Sequence, residues 1–228
     1  MLIPLGFAQV RTAGVSQGDW FKYGLTLDWE YDLDVTPEDF IFADFLQGDY
    51  VTLTIQNISG TNVTGQFTIH FENTTEKFLT GSVDLATGEG DLRNWLISAN
   101  LNANDSLYTT EIDEKINETV IQTYPMGPRE TNHLVYSYNT SSGEDYSTLK
   151  IDLYWDKEIG ILNEMSIQAQ LQQNGTLMQE SASWMLTESN IQQIPEFTQP
   201  TLILIILTVT IIFTILKNKE KNTPKQSS

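Results

Sequence analysis

The chain contains no cysteine in its 228 residues, which removes disulfide frameworks, thiolate metal centres and cysteine nucleophiles together. Stability has to come from packing. Histidine is nearly as scarce, with only His70 and His133 to serve as an imidazole base. Basic side chains number 12 against 30 acidic ones, for a net charge of -18, and so acidic a surface excludes nucleic acid as a partner. The glycine pair in Thr87-Gly-Glu-Gly-Asp91 lacks the spacing and strand-to-helix context of a phosphate loop. A long apolar run occurs once, near the C-terminus, and the rest of the chain is read relative to it.

That run extends from Thr201 to Leu216 without a charge, glycine or proline. Counted from Phe197 it offers about 20 residues, or ~30 Å of helix, enough to cross a hydrocarbon core. Pro200 suits the first helical turn, where its missing N–H has no partner in any case. A soluble helix of this length needs a polar stripe, and this one has none. Lys217, Lys219, Lys221 and Lys225 follow it, a third of all basic residues in the chain. They set the topology, placing that end in the cytoplasm and the N-terminal domain outside.

The triplet Pro195, Glu196 and Phe197, followed by the apolar run and the basic end, resembles the PEF-type C-terminal sorting signal of archaeal surface proteins. The resemblance covers about 34 residues. It implies recognition by an archaeosortase-like processing enzyme and replacement of the tail by a lipid, as a GPI signal is lost. A permanent single-span anchor is the alternative, and the triplet then only ends the stalk. Several segments also resemble an uncharacterised group of archaeal surface proteins: Gly18 to Tyr23, Ile58 to Thr64, Ser98 to Asp105, Arg129 to His133, and Tyr154 to Lys157 with Gly160. That resemblance implies location, not an activity. The turn after Trp155 is similar to a strand junction in half-barrel lipoprotein carriers of the LolA and LppX types.

At the front, residues 1–10 end an apolar stretch on Gly6-x-Ala8, as a partial signal peptide would, and the missing basic region implies that Met1 lies inside a longer signal. Seven N-x-[ST] sequons stand at Asn57, Asn62, Asn73, Asn104, Asn117, Asn139 and Asn174, all before the anchor. They are candidate N-glycosylation positions and agree with an outward-facing domain. The organisation expected is an extracellular β-domain over 15–190, a stalk over 191–200, a transmembrane helix over 201–216 and a cytoplasmic tail over 217–228.

Within the domain, residues 21–33 alternate strictly, apolar at odd positions and polar at even ones, which predicts a long strand bending near Gly24. The acidic row Asp28, Glu30, Asp32 and Asp34 on its wet face is solvated, since a calcium site needs ligands from several directions. Thr36-Pro37-Glu38-Asp39 is a helix start, and Phe40, Ile41, Phe42, Phe45 and Leu46 make the helix to about Gln47 apolar enough to pack on a sheet. A hairpin follows through the turn at Gly60. Residues 92–108 are read as a packed loop or a junction between sheets. Strands resume near 116–124, 134–138, 149–155, 161–171 and 178–186, the last three forming a meander. The fold class is mainly β and antiparallel, a curved sheet or a two-sheet sandwich or half-barrel with one short helix, plus the single transmembrane helix.

Chemistry has few candidates. His70 falls on a polar strand face, and His133 lies near Glu130 in sequence, where a structural hydrogen bond is the expected role. No serine has a nucleophile-elbow context, and 30 acidic residues make some carboxylate pair inevitable. No catalytic, cofactor-binding or metal residue is expected. The reading is a non-enzymatic, membrane-anchored surface β-domain with a structural or recognition role toward envelope proteins or glycans. The alternative is a carrier of lipid or another apolar ligand in a concave half-barrel.

Overall fold

The computed structural model describes residues 10–30, 48–110, 114–142, 145–173 and 176–191. The chain divides into two units, Met1–Ile191 and Gln192–Ser228, and the second lies outside the described residues, as do residues 1–9 and the helix expected at 37–47. Among the described residues there is no helix, and so none long and apolar enough to cross a membrane.

Nine strands are present among the described residues. They are β1 (Trp20–Glu30), β2 (Tyr50–Ser59), β3 (Asn62–His70), β4 (Glu76–Asp84), β5 (Glu118–Tyr124), β6 (Gly127–Ser142), β7 (Asp145–Asp156), β8 (Leu162–Gln173) and β9 (Thr176–Ser189). All nine join one open, curved sheet in the order β4-β3-β2-β1-β9-β8-β7-β6-β5, with every neighbouring pair antiparallel. The curved single sheet is thus the architecture realised over these residues. The period-two pattern explains the pairing, because one face of each strand carries the branched and aromatic side chains that bury against a common core. The long first strand shifts register between Lys22 and Tyr23, two residues before the expected bend. β6 runs far past the 134–138 expected, because its ends alternate small polar residues whose periodicity carries little hydrophobic signal.

The two edges of the sheet, β4 and β5, are consecutive in sequence, so residues 85–117 must cross from one edge to the other. This segment fills the core. Leu85, Leu92, Trp95, Leu96, Ile97, Leu101, Leu107, Tyr108 and Ile116 are all buried in one cluster with the apolar strand faces. It is the packed loop expected at 92–108, laid on a single sheet.

Trp95 shows how far the sheet curls. Its ring meets Phe67 of β3 at 4.9 Å and, edge-on, Tyr23 of β1 at 5.1 Å, while its carbonyl accepts the N–H of Leu162 in β8 at 2.9 Å. In a flat sheet β3 and β8 lie four strand spacings apart, ~19 Å. One residue reaches both because the sheet wraps around it.

The crossing segment is held by polar groups that burial would otherwise leave unpaired. Trp155 Nε1 donates to the Asn94 carbonyl and Asn132 Nδ2 to the Leu101 carbonyl, each at 2.9 Å, and Ile97 N–H donates to the Gly160 carbonyl. Opposite glycines leave a dimple for Leu92, since a Cβ at Gly65 would meet Leu92 Cδ1 at 3.2 Å and one at Gly81 would meet Leu92 Cγ at 3.3 Å. The turn after β7 forms as its sequence predicts. Asp156 Oδ1 accepts the N–H groups of Glu158 and Ile159, and Gly160 takes φ +76° so close to the Ile97 carbonyl that a Cβ would lie 2.2 Å from it.

Candidate functional site

The crossing segment covers only part of the apolar face. β1 pairs with β2 no further than Gly24 opposite Tyr50, yet it stays paired with β9 as far as Glu30 opposite Gln179. Five strands, β1, β9, β8, β7 and β6, therefore run on beyond the shorter β2 to β4 side. Cross-strand register arranges their inward residues in rows.

In the innermost of these rows Leu134, Leu153, Met165 and Trp184 are at most 5% exposed. One row out, Tyr136, Ile151, Ile167 and Ala182 are each half-buried. In the next, Leu149 and Ala169 are half-buried and Tyr138 is 59% exposed. Directly across from Ala169 the β9 position is Glu180, so this outer row is apolar over β6 to β8 only. The strip that the described residues leave uncovered is therefore one row across four strands and a second across three, roughly 160 Å² from strand spacing and rise alone.

A polar rim closes the inner border of the strip. Arg93 of the crossing segment pairs with Glu114, and Glu114 also hydrogen-bonds Tyr136 of β6. Burial, and after it the Glu114 carboxylate, push the Tyr136 phenol well above its ordinary range. Arg93 lies over the Tyr108 ring at 5.1 Å, and Tyr108 donates its hydroxyl to the Arg93 carbonyl at 2.9 Å. Burial holds the Tyr108 phenol up at about 12, with Arg93 acting in the opposite direction. Both phenols therefore stay neutral donors at neutral pH.

The opposite face carries a polar network. Glu118, His133, Tyr154 and Glu164 stand directly across from one another on β5, β6, β7 and β8. His133 Nδ1 lies 3.0 Å from Glu118 Oε1 and Nε2 lies 2.9 Å from Asp152 Oδ1, and the ring stacks on Tyr154 at 4.1 Å. Each ring nitrogen thus faces a carboxylate oxygen. Asp152 also takes Lys150 at 2.7 Å. Burial opposes its charge, but the Lys150 and His133 hydrogen bonds outweigh burial and hold its carboxyl below the usual range. Glu164 is displaced upward by burial and by Asp152, against a smaller pull from His133.

His133 thus makes the hydrogen bonds anticipated for it, but with Glu118 and Asp152 across the sheet, while Glu130 pairs with Lys157 at 2.8 Å. His70 sits on its strand face beside Glu76 at 3.0 Å and stacks on Tyr50. Asn57, Asn62, Asn73, Asn104, Asn117 and Asn139 are all exposed, and none lies in the apolar strip. Asn174, the triplet at 195–197 and the tail lysines lie outside the described residues. No group of three or more acidic or histidine side chains arranged for a metal ion occurs among the described residues.

The strip was partly legible. Alternation marks Leu149, Ile151 and Leu153, and Met165, Ile167 and Ala169, as facing one way, and the register confirms it. The end of the cover and the Arg93, Glu114 and Tyr136 rim had no local signal. No protein-family model matches this chain, and no curated protein matches it.

Proposed function

We propose that this protein is a non-enzymatic, membrane-anchored surface β-domain whose recognition surface is the uncovered strip. Its ligand is an uncharged long-chain molecule, an acyl or isoprenoid chain with a neutral polar end. One observation carries the reading: the buried row under the crossing segment continues on the same strands as an apolar row, Tyr136, Ile151, Ile167 and Ala182, that is only partly buried. The net charge of -18 disfavours an anionic head group, and the Arg93 guanidinium at the rim, with N–H groups beyond the one paired to Glu114, supplies a donor for a hydroxyl or carbonyl end. The reading without catalysis is supported by His133, whose two ring nitrogens are both occupied by carboxylates.

The anchor at 201–216, the cytoplasmic lysines, a PEF-type signal at 195–197 and N-glycans on the sequons belong to the same proposal. Their support is the apolar run, the charge asymmetry and the exposure of the six described asparagines. Intact mass of protein from native membranes separates a lipid-modified form ending near Phe197 from a retained anchor. Ligand binding is tested by photo-crosslinking the full chain in nanodiscs with a diazirine-bearing hexadecanol. Adducts mapping to Ile151, Ile167 and Ala182, abolished in Ile167→Glu, are expected. Labelling confined to the membrane segment, or unchanged in the variant, refutes the ligand.

A further inference from the structure

The seven sequons are equal as sequence motifs, but the fold makes them unequal as substrates. A glycosyltransferase has to seat the asparagine, the middle residue and the hydroxyl residue together in its own groove, so a folded protein offers only a sequon whose three residues are free of the core and of the ladder. Asn62 fails this, because Val63 is 0% exposed and Asn62, Val63 and Thr64 pair with β2 on one side and β4 on the other. Asn117 has Oδ1 accepting the Val135 N–H, and the hydroxyl of its sequon, Thr119, donates to Asn132 Oδ1 at 2.8 Å. Asn57 and Asn139 lie in strands paired to a neighbour, and Thr140, the middle residue of the Asn139 sequon, is tied by its hydroxyl to Ser147. In the Asn104 sequon Ser106 bridges Lys115, and Asn104 N–H donates to the carbonyl of the distant Ile116 at 2.9 Å.

Asn73 differs. It occupies the turn between β3 and β4, and Asn73, Thr74 and Thr75 are all exposed. The Asn73 carboxamide already faces its own sequon's hydroxyl, with Oδ1 accepting from Thr75 Oγ1 at 2.6 Å and from Thr75 N–H at 3.0 Å. Both donors draw electron density to the carbonyl oxygen and leave Nδ2 pointing away from them. Thr74 holds φ 68° in this turn.

We propose that, of the six sequons among the described residues, Asn73 is the one that accepts an N-linked glycan on the folded protein, an inference that rests on the glycoprotein reading above. The donor class is an oligosaccharide joined through C1 to a lipid phosphate. Nδ2 forms the bond to C1, the C1–O bond breaks with its electron pair leaving on the phosphate, and the amide proton passes to a base of the transferase. Neither β3 nor β4, which this turn joins, is among the strands that carry the apolar strip.

The test is site-resolved glycopeptide mass spectrometry of the full chain purified from its native cells, beside Asn73→Gln and Thr75→Ala produced in the same cells. The expected result is Asn73 occupied at least tenfold more than Asn62, one glycan mass lost in Asn73→Gln, and the same loss in Thr75→Ala, which keeps the asparagine. Modification at other sequons with Asn73 bare overturns the inference and leaves the glycoprotein reading standing. Equal occupancy of Asn62 and Asn73 also overturns it, since modification then precedes folding and the fold selects nothing. A chain with no sugar at any sequon overturns both.

Discussion

Arg129 Nη1 lies 2.8 Å from Asp156 Oδ2, and each side chain is 6% exposed. The pair ties β6 to the end of β7, while the other Asp156 oxygen organises the turn that meets the crossing segment. Removing one charge leaves the other buried without a counter-ion, a loss of about 3 to 5 kcal/mol. Asp156→Asn keeps the turn's acceptor and isolates the electrostatic part. Urea denaturation is expected to show a loss of about 3 kcal/mol in this variant. Lys157→Ala, which removes the partly exposed pair with Glu130, is expected to cost less than about 1 kcal/mol.

Trp95 is the contact that closes the curl. Trp95→Ala removes the ring from Tyr23 and Phe67 together, and a loss of about 3 to 5 kcal/mol is expected in the same measurement. Gly160→Ala tests the close approach from the other side. Its Cβ would lie 2.2 Å from a backbone carbonyl that cannot rotate away, at a φ of +76°. A loss of more than about 1 kcal/mol is expected, and an unchanged denaturation midpoint contradicts the packing described.

The carboxylates around His133 have opposite pH signatures. Asp152 is held below the usual range, so its stabilising contribution is present above the unfolded value, ~3.9, and disappears as pH falls through the lower folded value. Glu164 is raised, so its contribution is full below ~4.3 and is lost as pH rises through the folded value. At neutral pH the ionised Glu164 therefore opposes folding. Glu164→Gln is expected to raise the denaturation midpoint at pH 7, by no more than about 0.5 kcal/mol for a half-exposed site, and to have no effect near pH 3.5. A gain that persists at the acid end contradicts this assignment.

Ile167 is half-buried in the middle of the strip. A carboxylate there remains solvated in the absence of ligand, and Ile167→Glu is expected to cost no more than about 1.5 kcal/mol while abolishing the crosslinked adducts. Met165→Glu, two residues along in the same strand but 3% exposed, is expected to unfold the domain. Similar stability losses for the two variants, by thermal denaturation followed by circular dichroism, contradict the boundary drawn between covered and uncovered rows.

Much of the fold was written in local patterns. The meander of β7, β8 and β9 follows from alternation at residues 149–155, 165–171 and 178–186, and the turn at Asp156 to Gly160 from its aspartate and glycine. The hairpin through Gly60 formed where its turn residues placed it. The partners of His133 were not readable, because Glu118 and Asp152 are 15 and 19 residues away and meet it only through strand register. Glu130, three residues before it in sequence, points to Lys157 instead.

The sequence by itself determined that the described domain is an antiparallel β structure without disulfide support, with one face of each strand apolar and an exterior of strongly negative charge. These properties are local, set by period-two alternation and composition. Only the tertiary structure decided that the sheet stays open, that residues 85–117 fill it from edge to edge, and that their cover stops at Tyr136. Where a cover ends depends on strand order and on how far each strand outruns its neighbour. Both are relations between residues far apart in the chain, to which alternation within a single strand is blind.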